Sequence, residues 1–165
     1  MATTGIIPTS QITPDNDVLT LELFIAAPRE RIFQALTDPA QAARWWGRKD
    51  HYQFTQFNMD VRPGGKWSTK GTSPKMGDIS VHGEFLEVDP PKRLAYTWNS
   101  SWMEVLTKVL WELNPQADGT LVKLTHSGFG GNVDQAQGHS FGWTLVFSWL
   151  QAFAEKGETL DSNRS

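Results

Sequence analysis

Two histidines are the side chains whose type and placement suit acid–base chemistry near neutral pH. His126 shares one face of a strand pattern with Val122 and Leu124, and His139 heads an apolar stripe on a long C-terminal helix, so both border the same interior space. A general acid or base is one reading. A hydrogen-bonded core or rim histidine is the other, and it is the default for buried polar groups. Ser127 and Ser140 each adjoin one of these histidines, but neither sits in a strained nucleophile elbow, so no catalytic residue is assigned. His82, Glu84, His126, Asp134 and His139 follow no known ligand spacing, and the chain has no cysteine; no metal site is expected. Gly128-Phe129-Gly130-Gly131 precedes the long helix, where an anion can bind. It matches neither the dinucleotide fingerprint nor a Walker motif, so it reads as a turn and no cofactor is expected. Arg44, Arg48 and Lys49 cluster beside Trp45-Trp46; they read as a solvated helix end, with a ligand carboxylate as the alternative partner.

The elements that must position these residues follow from periodicity. Leu19, Leu21, Leu23 and Ile25 alternate with Val18, Thr20, Glu22 and Phe24, which predicts a strand with its leucine face inward. Pro28 suits a first helical turn, and Ile32, Phe33 and Leu36 then fall on one side of a short helix. Asp38-Pro39 starts a second short helix that ends near Trp45-Trp46-Gly47. Apolar parity switches between Tyr52 and Val61, which predicts a bulge near Thr55 or Gln56. Pro63-Gly64-Gly65 turns the chain into a strand at Trp67, and Gly71 to Asp78 reads as a polar loop. Further strands centre on Ile79, Val81 and Phe85; on Leu94, Tyr96 and Trp98; on Val109, Trp111 and Leu113; and on Val122, Leu124 and His126. Short turns between them imply an antiparallel meander. From about Asp134 to Lys156 a helix carries His139, Trp143, Val146, Leu150 and Phe153 on one stripe and Phe141, Leu145 and Trp149 on another, and stops at Gly157. A helix apolar on two sides must be covered on two sides, by the sheet and by the short helices or a second subunit.

A chain of 165 residues makes one domain, with residues 18–157 as its body, 1–17 as a tail or edge extension and 158–165 as a C-terminal tail. A net charge of -3 lacks the positive field that phosphate-backbone binding requires, so no nucleic-acid partner is expected. The stretch from Phe141 to Phe153 is short and interrupted by polar residues, and the N-terminus carries no basic, apolar leader; the expectation is a cytoplasmic protein without membrane insertion. Eight Trp and nine Phe suit either a rigid core or the wall of an apolar cavity, and composition fits both.

Several segments occur in a known order: Trp45-Trp46-Gly47, Arg62-Pro63-Gly64-Gly65-Lys66-Trp67, the run from Gly83 to Leu94, Tyr96-Thr97-Trp98, the run from Leu124 to Phe129, and Gly142-Trp143. In this the chain resembles bacterial homologues of the activator of heat-shock protein 90 ATPase, across residues 18 to 156. That family lies within the START-like, polyketide-cyclase (SRPBCC) superfamily. The resemblance implies an α+β helix-grip fold, in which a curved antiparallel sheet of about seven strands wraps a long C-terminal helix, with two short helices after the first strand. It also implies a ligand space between sheet and helix, for a lipid or another apolar molecule. Two features depart from the family. Ser100 to Thr107, with Trp102, Met103, Val105 and Leu106, is unusually apolar for a connecting loop and reads as a lid or a contact. The separate N-terminal domain of the eukaryotic activator has no counterpart here, so that protein's activity is not carried over.

The expected function is therefore non-catalytic binding of a small hydrophobic or aromatic ligand. Trp45, Trp46, Trp67, Phe85, Trp98, Trp111, His126, His139, Trp143 and Val146 are the expected ligand-binding residues. The alternatives are a cyclase- or hydrolase-type enzyme using His126 or His139, and a protein-interaction or co-chaperone-like module. A homodimer is expected, because the long helix carries more apolar surface than one sheet covers.

Overall fold

The computed structural model describes residues 8–159. Its elements run β1 (Thr9–Ile12), β2 (Val18–Ile25), α1 (Arg29–Thr37), α2 (Pro39–Trp45), β3 (Gly47–Arg48), β4 (Tyr52–Met59), β5 (Lys66–Ser73), β6 (Gly77–Asp89), β7 (Arg93–Ser100), β8 (Met103–Gln116), β9 (Gly119–Ser127) and α3 (Val133–Lys156). Every strand pairing is antiparallel, and the sheet order is β1-β2-β9-β8-β7-β6-β5-β4-β3. This is the α+β helix-grip architecture.

The sheet has nine strands, not about seven. The two additions, β1 and β3, are its two edges, and they have four and two residues. Strands that short, with β1 mostly exposed, carry no inward alternation for a sequence reading to detect. β1 lies within the stretch read as a tail or edge extension. The supposed polar loop from Gly71 to Asp78 is also mostly strand: β5 and β6 pair through Ser73 and Gly77, leaving only residues 74–76 to turn.

The long helix grips because its ends are specified locally and its face is specified by period. Asn132 caps α3 by accepting from the Gln135 amide, and Gly157 ends it in the left-handed region at φ 72°. The stripe His139, Trp143, Val146, Leu150 and Phe153 is buried throughout. Leu19, Leu21, Leu23 and Ile25 of β2 face the same core. α1 and α2 cover part of the second side of α3, where Trp149 is buried, whereas Phe141 stays 65% exposed. The sheet bends at a bulge between Phe54 and Gln56, where the parity of β4 changes.

Candidate functional site

Aromatic rings line the interior between sheet and helix. All ten residues expected to bind ligand are brought into this interior, and none is more than 7% exposed. Trp143 projects from α3 toward the sheet and meets Trp98 of β7 at 5.1 Å, Trp111 of β8 at 5.7 Å and Trp46 at 5.9 Å between ring centroids. Trp45 stacks on Trp46 at 5.0 Å, Trp67 meets Trp98 at 5.9 Å, and Phe85 meets Tyr96 at 6.1 Å. Val146 lies in the same core cluster. The rings therefore rest on one another as a continuous chain.

A buried tryptophan needs an acceptor for its indole N–H. Trp45 donates to the Ala35 carbonyl, Trp46 to Tyr52 Oη, Trp67 to the Thr97 carbonyl, Trp111 to Tyr96 Oη and Trp143 to His126 Nδ1. Trp98 has none: its buried Nε1 is without a partner.

His126 sits at the centre of a hydrogen-bond chain whose directions can be assigned. Trp143 Nε1 donates to His126 Nδ1 at 3.0 Å, so that nitrogen carries no proton. His126 Nε2 lies 2.7 Å from Thr107 Oγ1, and the Thr107 hydroxyl donates onward to the Trp98 carbonyl at 2.9 Å. His126 Nε2 must then be the protonated nitrogen, donating to Thr107. Burial holds the ring well below the usual histidine range, and the neighbouring His139 opposes a second charge. Both ring nitrogens are thus occupied, and His126 has no free lone pair to act as a base. Ser127 leaves β9 on the opposite face, and the Ser140 hydroxyl bonds Ser10 of β1 at 2.7 Å, so neither serine serves a histidine.

His139 differs. Its Nδ1 lies 2.8 Å from the Gln135 carbonyl, which can only accept, so Nδ1 carries the proton. Nε2 is left as a bare lone pair, buried and without a partner. Burial lowers the basicity of the ring, partly offset by the bond to Gln135. Four rings surround it: His126 and Phe129 at 5.1 Å, Trp102 stacked at 6.1 Å and Trp98 at 6.3 Å.

Trp102 comes from the segment expected as a loop with a lid or contact role. β7 and β8 instead continue to Ser100 and Met103, and Trp102 occupies the turn between them, over His139. Phe129 comes from the glycine-rich loop. Amides of that loop are already engaged: those of Gly128 and Phe129 donate to the Asp17 carbonyl and that of Gly130 to the Asp17 side chain. The loop is therefore a tied turn and leaves those groups unavailable to an anion.

Sequence reasoning missed Thr107. Its signal was parity, since Thr107 shares the inward register of Val109, Trp111 and Leu113, and a hydroxyl on an inward face needs a partner. The basic cluster requires correction at one position. Arg44 and Lys49 are solvated, but Arg48 is buried in β3, where its Nη1 donates to the Gly47 carbonyl and its guanidinium lies 5.9 Å from the Trp149 ring centroid. Gly47, at φ 131°, brings β3 so close to β4 that a Cβ there would stand 2.4 Å from the Tyr52 carbonyl oxygen.

A hollow of about 470 Å³ also lies beside the β4 bulge, lined by Thr55, Gln56, Lys70, Gly71, Thr72, Asp78, Ile79 and Ser80. It contains none of the expected site residues. Among the described residues, no group of His, Asp and Glu is placed to hold a metal, and no helix is long and apolar enough to cross a membrane.

A family model described as Activator of Hsp90 ATPase homolog 1-like protein matches residues 26–155. The chain belongs to this family. No protein of curated function matches it. Solved structures similar to this family member include protein CV1439 from Chromobacterium violaceum, 21% identical over 84% of this chain and 97% of that one, with a TM-score of 0.73. Protein NE0264 from Nitrosomonas europaea is 22% identical over 88% and 98%, with a TM-score of 0.75. A protein from Arthrobacter aurescens is 16% identical over 97% and 99%, with a TM-score of 0.77. At these identities the likeness concerns the fold.

Proposed function

We propose that this Hsp90-activator-like family member is a non-catalytic binding protein for a small apolar or aromatic molecule, held between sheet and α3 under the β7–β8 turn. One observation carries the reading. Among the described residues, four buried polar atoms without partners lie on adjoining inward positions: Thr69 Oγ1, Trp98 Nε1, Ser100 Oγ and His139 Nε2. Thr69 and Ser100 flank Val81 in one cross-strand row, Trp98 is the next inward residue along β7, and its ring meets His139. An unmade buried hydrogen bond costs roughly 1–3 kcal/mol, so a solid core would not gather four of them. A molecule with a polar group on an apolar body satisfies both the orphaned atoms and the rings. Catalysis is disfavoured because His126 is fully engaged and, among the described residues, no hydroxyl is hydrogen-bonded to His139 as a nucleophile would be to its base.

Native mass spectrometry of freshly purified protein tests this. A copurifying small molecule, or quenching of tryptophan emission by naphthalene-sized probes, is the expected result. A bare chain that gives no response to such probes refutes it.

A second reading concerns association. Phe141 is 65% exposed on α3, and Gly138 and Gly142 beside it leave open space where side chains would stand. A knob next to two flat positions is self-complementary, so a second copy of this helix about a twofold axis would cover it. A homodimer follows from that face. A cytoplasmic location fits the same binding role.

A further inference from the structure

The unpartnered atoms at the interior site differ in what they ask of a ligand. His139 Nδ1 is committed as donor to the Gln135 carbonyl, so in the neutral ring Nε2 can only accept. Trp98 Nε1 can only donate. Ser100 Oγ and Thr69 Oγ1 can do either. Four aromatic rings form the walls around His139: Trp98, Trp102, His126 and Phe129. The buried cation, Arg48, sits by Trp149 and its Nη1 is bonded to Gly47, so it is not among these walls. A carboxylate would place a lone pair against that of His139 and would lie in an apolar site without a counter-charge.

We propose that the site takes a neutral hydroxylated aromatic molecule, whose O–H donates to His139 Nε2 while a ring oxygen substituent accepts from Trp98 Nε1. This rests on the binding reading above and specifies its ligand class. The hydroxyl supplies the donor that the histidine lacks, and the flat ring lies among the indoles. A hydroxyl oxygen also keeps its lone pairs for a second donor, so one phenolic group can serve both orphaned atoms when it sits between them. Discrimination should be strong for the size of the change, because an analogue without the proton leaves the buried lone pair unmet.

The test compares four probes at pH 7.5, where a phenol is protonated: naphthalene, 2-naphthol, 2-methoxynaphthalene and 2-naphthoate, each titrated by tryptophan fluorescence. We expect 2-naphthol to bind at least about tenfold more tightly than 2-methoxynaphthalene and 2-naphthoate. In His139→Phe, with folding verified by circular dichroism, that preference should fall to about unity while naphthalene binding persists. If that variant does not fold, His139→Gln serves instead, and the wild-type ranking already decides the main point. Equal binding of 2-naphthol and its methyl ether overturns the ligand class and leaves the binding reading intact. So does a naphthol preference that survives in His139→Phe. Failure of all four probes overturns the binding reading and this inference with it.

Discussion

Replacing Thr107 by valine removes one hydroxyl from a side chain that is 3% exposed and keeps its shape. If burial of apolar surface governed this position, the added methyl would stabilise the fold by up to about 0.8 kcal/mol. The hydrogen-bond chain demands the opposite sign. Thr107 Oγ1 accepts from His126 Nε2 and donates to the Trp98 carbonyl, and valine can do neither. The buried His126 N–H is then orphaned at a cost of roughly 1–3 kcal/mol, and the bond to Trp98 is lost at about 1 kcal/mol more. Setting the methyl gain against these losses leaves a net destabilisation of about 1.5–3 kcal/mol. For a domain of this size that lowers the melting temperature by roughly 3–12 °C. Thr107→Ser keeps the hydroxyl and drops one methyl, and should cost only about 1 kcal/mol. Urea unfolding followed by tryptophan fluorescence and far-ultraviolet circular dichroism measures both variants. A Thr107→Val protein as stable as the parent, or less affected than Thr107→Ser, would refute the assigned chain and with it the tautomer of His126. In His126→Leu the valine substitution should cost much less, because its main orphan is already gone.

Burial lowers the affinity of both interior histidines for protons, so the unfolded chain binds more protons than the folded one as pH falls below about 6.5. Stability should be level above about pH 7 and decline from about pH 6.5 downward, by up to about 1.4 kcal/mol per pH unit for each histidine. Denaturant titrations between pH 5 and 8 read this, and His126→Leu should flatten part of the slope. Light scattering should report twice the chain mass for the parent and one chain mass for Phe141→Glu, with unchanged circular dichroism; a monomeric parent at high concentration counts against the dimer. Chelators should leave the melting temperature unchanged, and a large drop would reveal a structural metal.

Periodicity alone determined the face of most interior residues. In β2, β9 and α3 the inward residues follow from spacings of two and of three to four, and all ten expected site residues lie in the core. The bulge in β4 was legible because a single extra residue flips every later side chain. The edge strands β1 and β3 were not, since their pairing is backbone hydrogen bonding with little side-chain pattern. Phe141 read as one of a second apolar stripe, to be covered by the short helices or a second subunit; α1 and α2 leave it exposed, and only their placement decides that. The same division holds within the site. Sequence turned both histidines inward; the register of β8 on β9 and the seating of α3 made one a closed relay through Thr107 and Trp143, and left the other with a bare lone pair. A period states which way a side chain points, whereas a hydrogen bond depends on distances of a few tenths of an ångström between elements far apart in the chain.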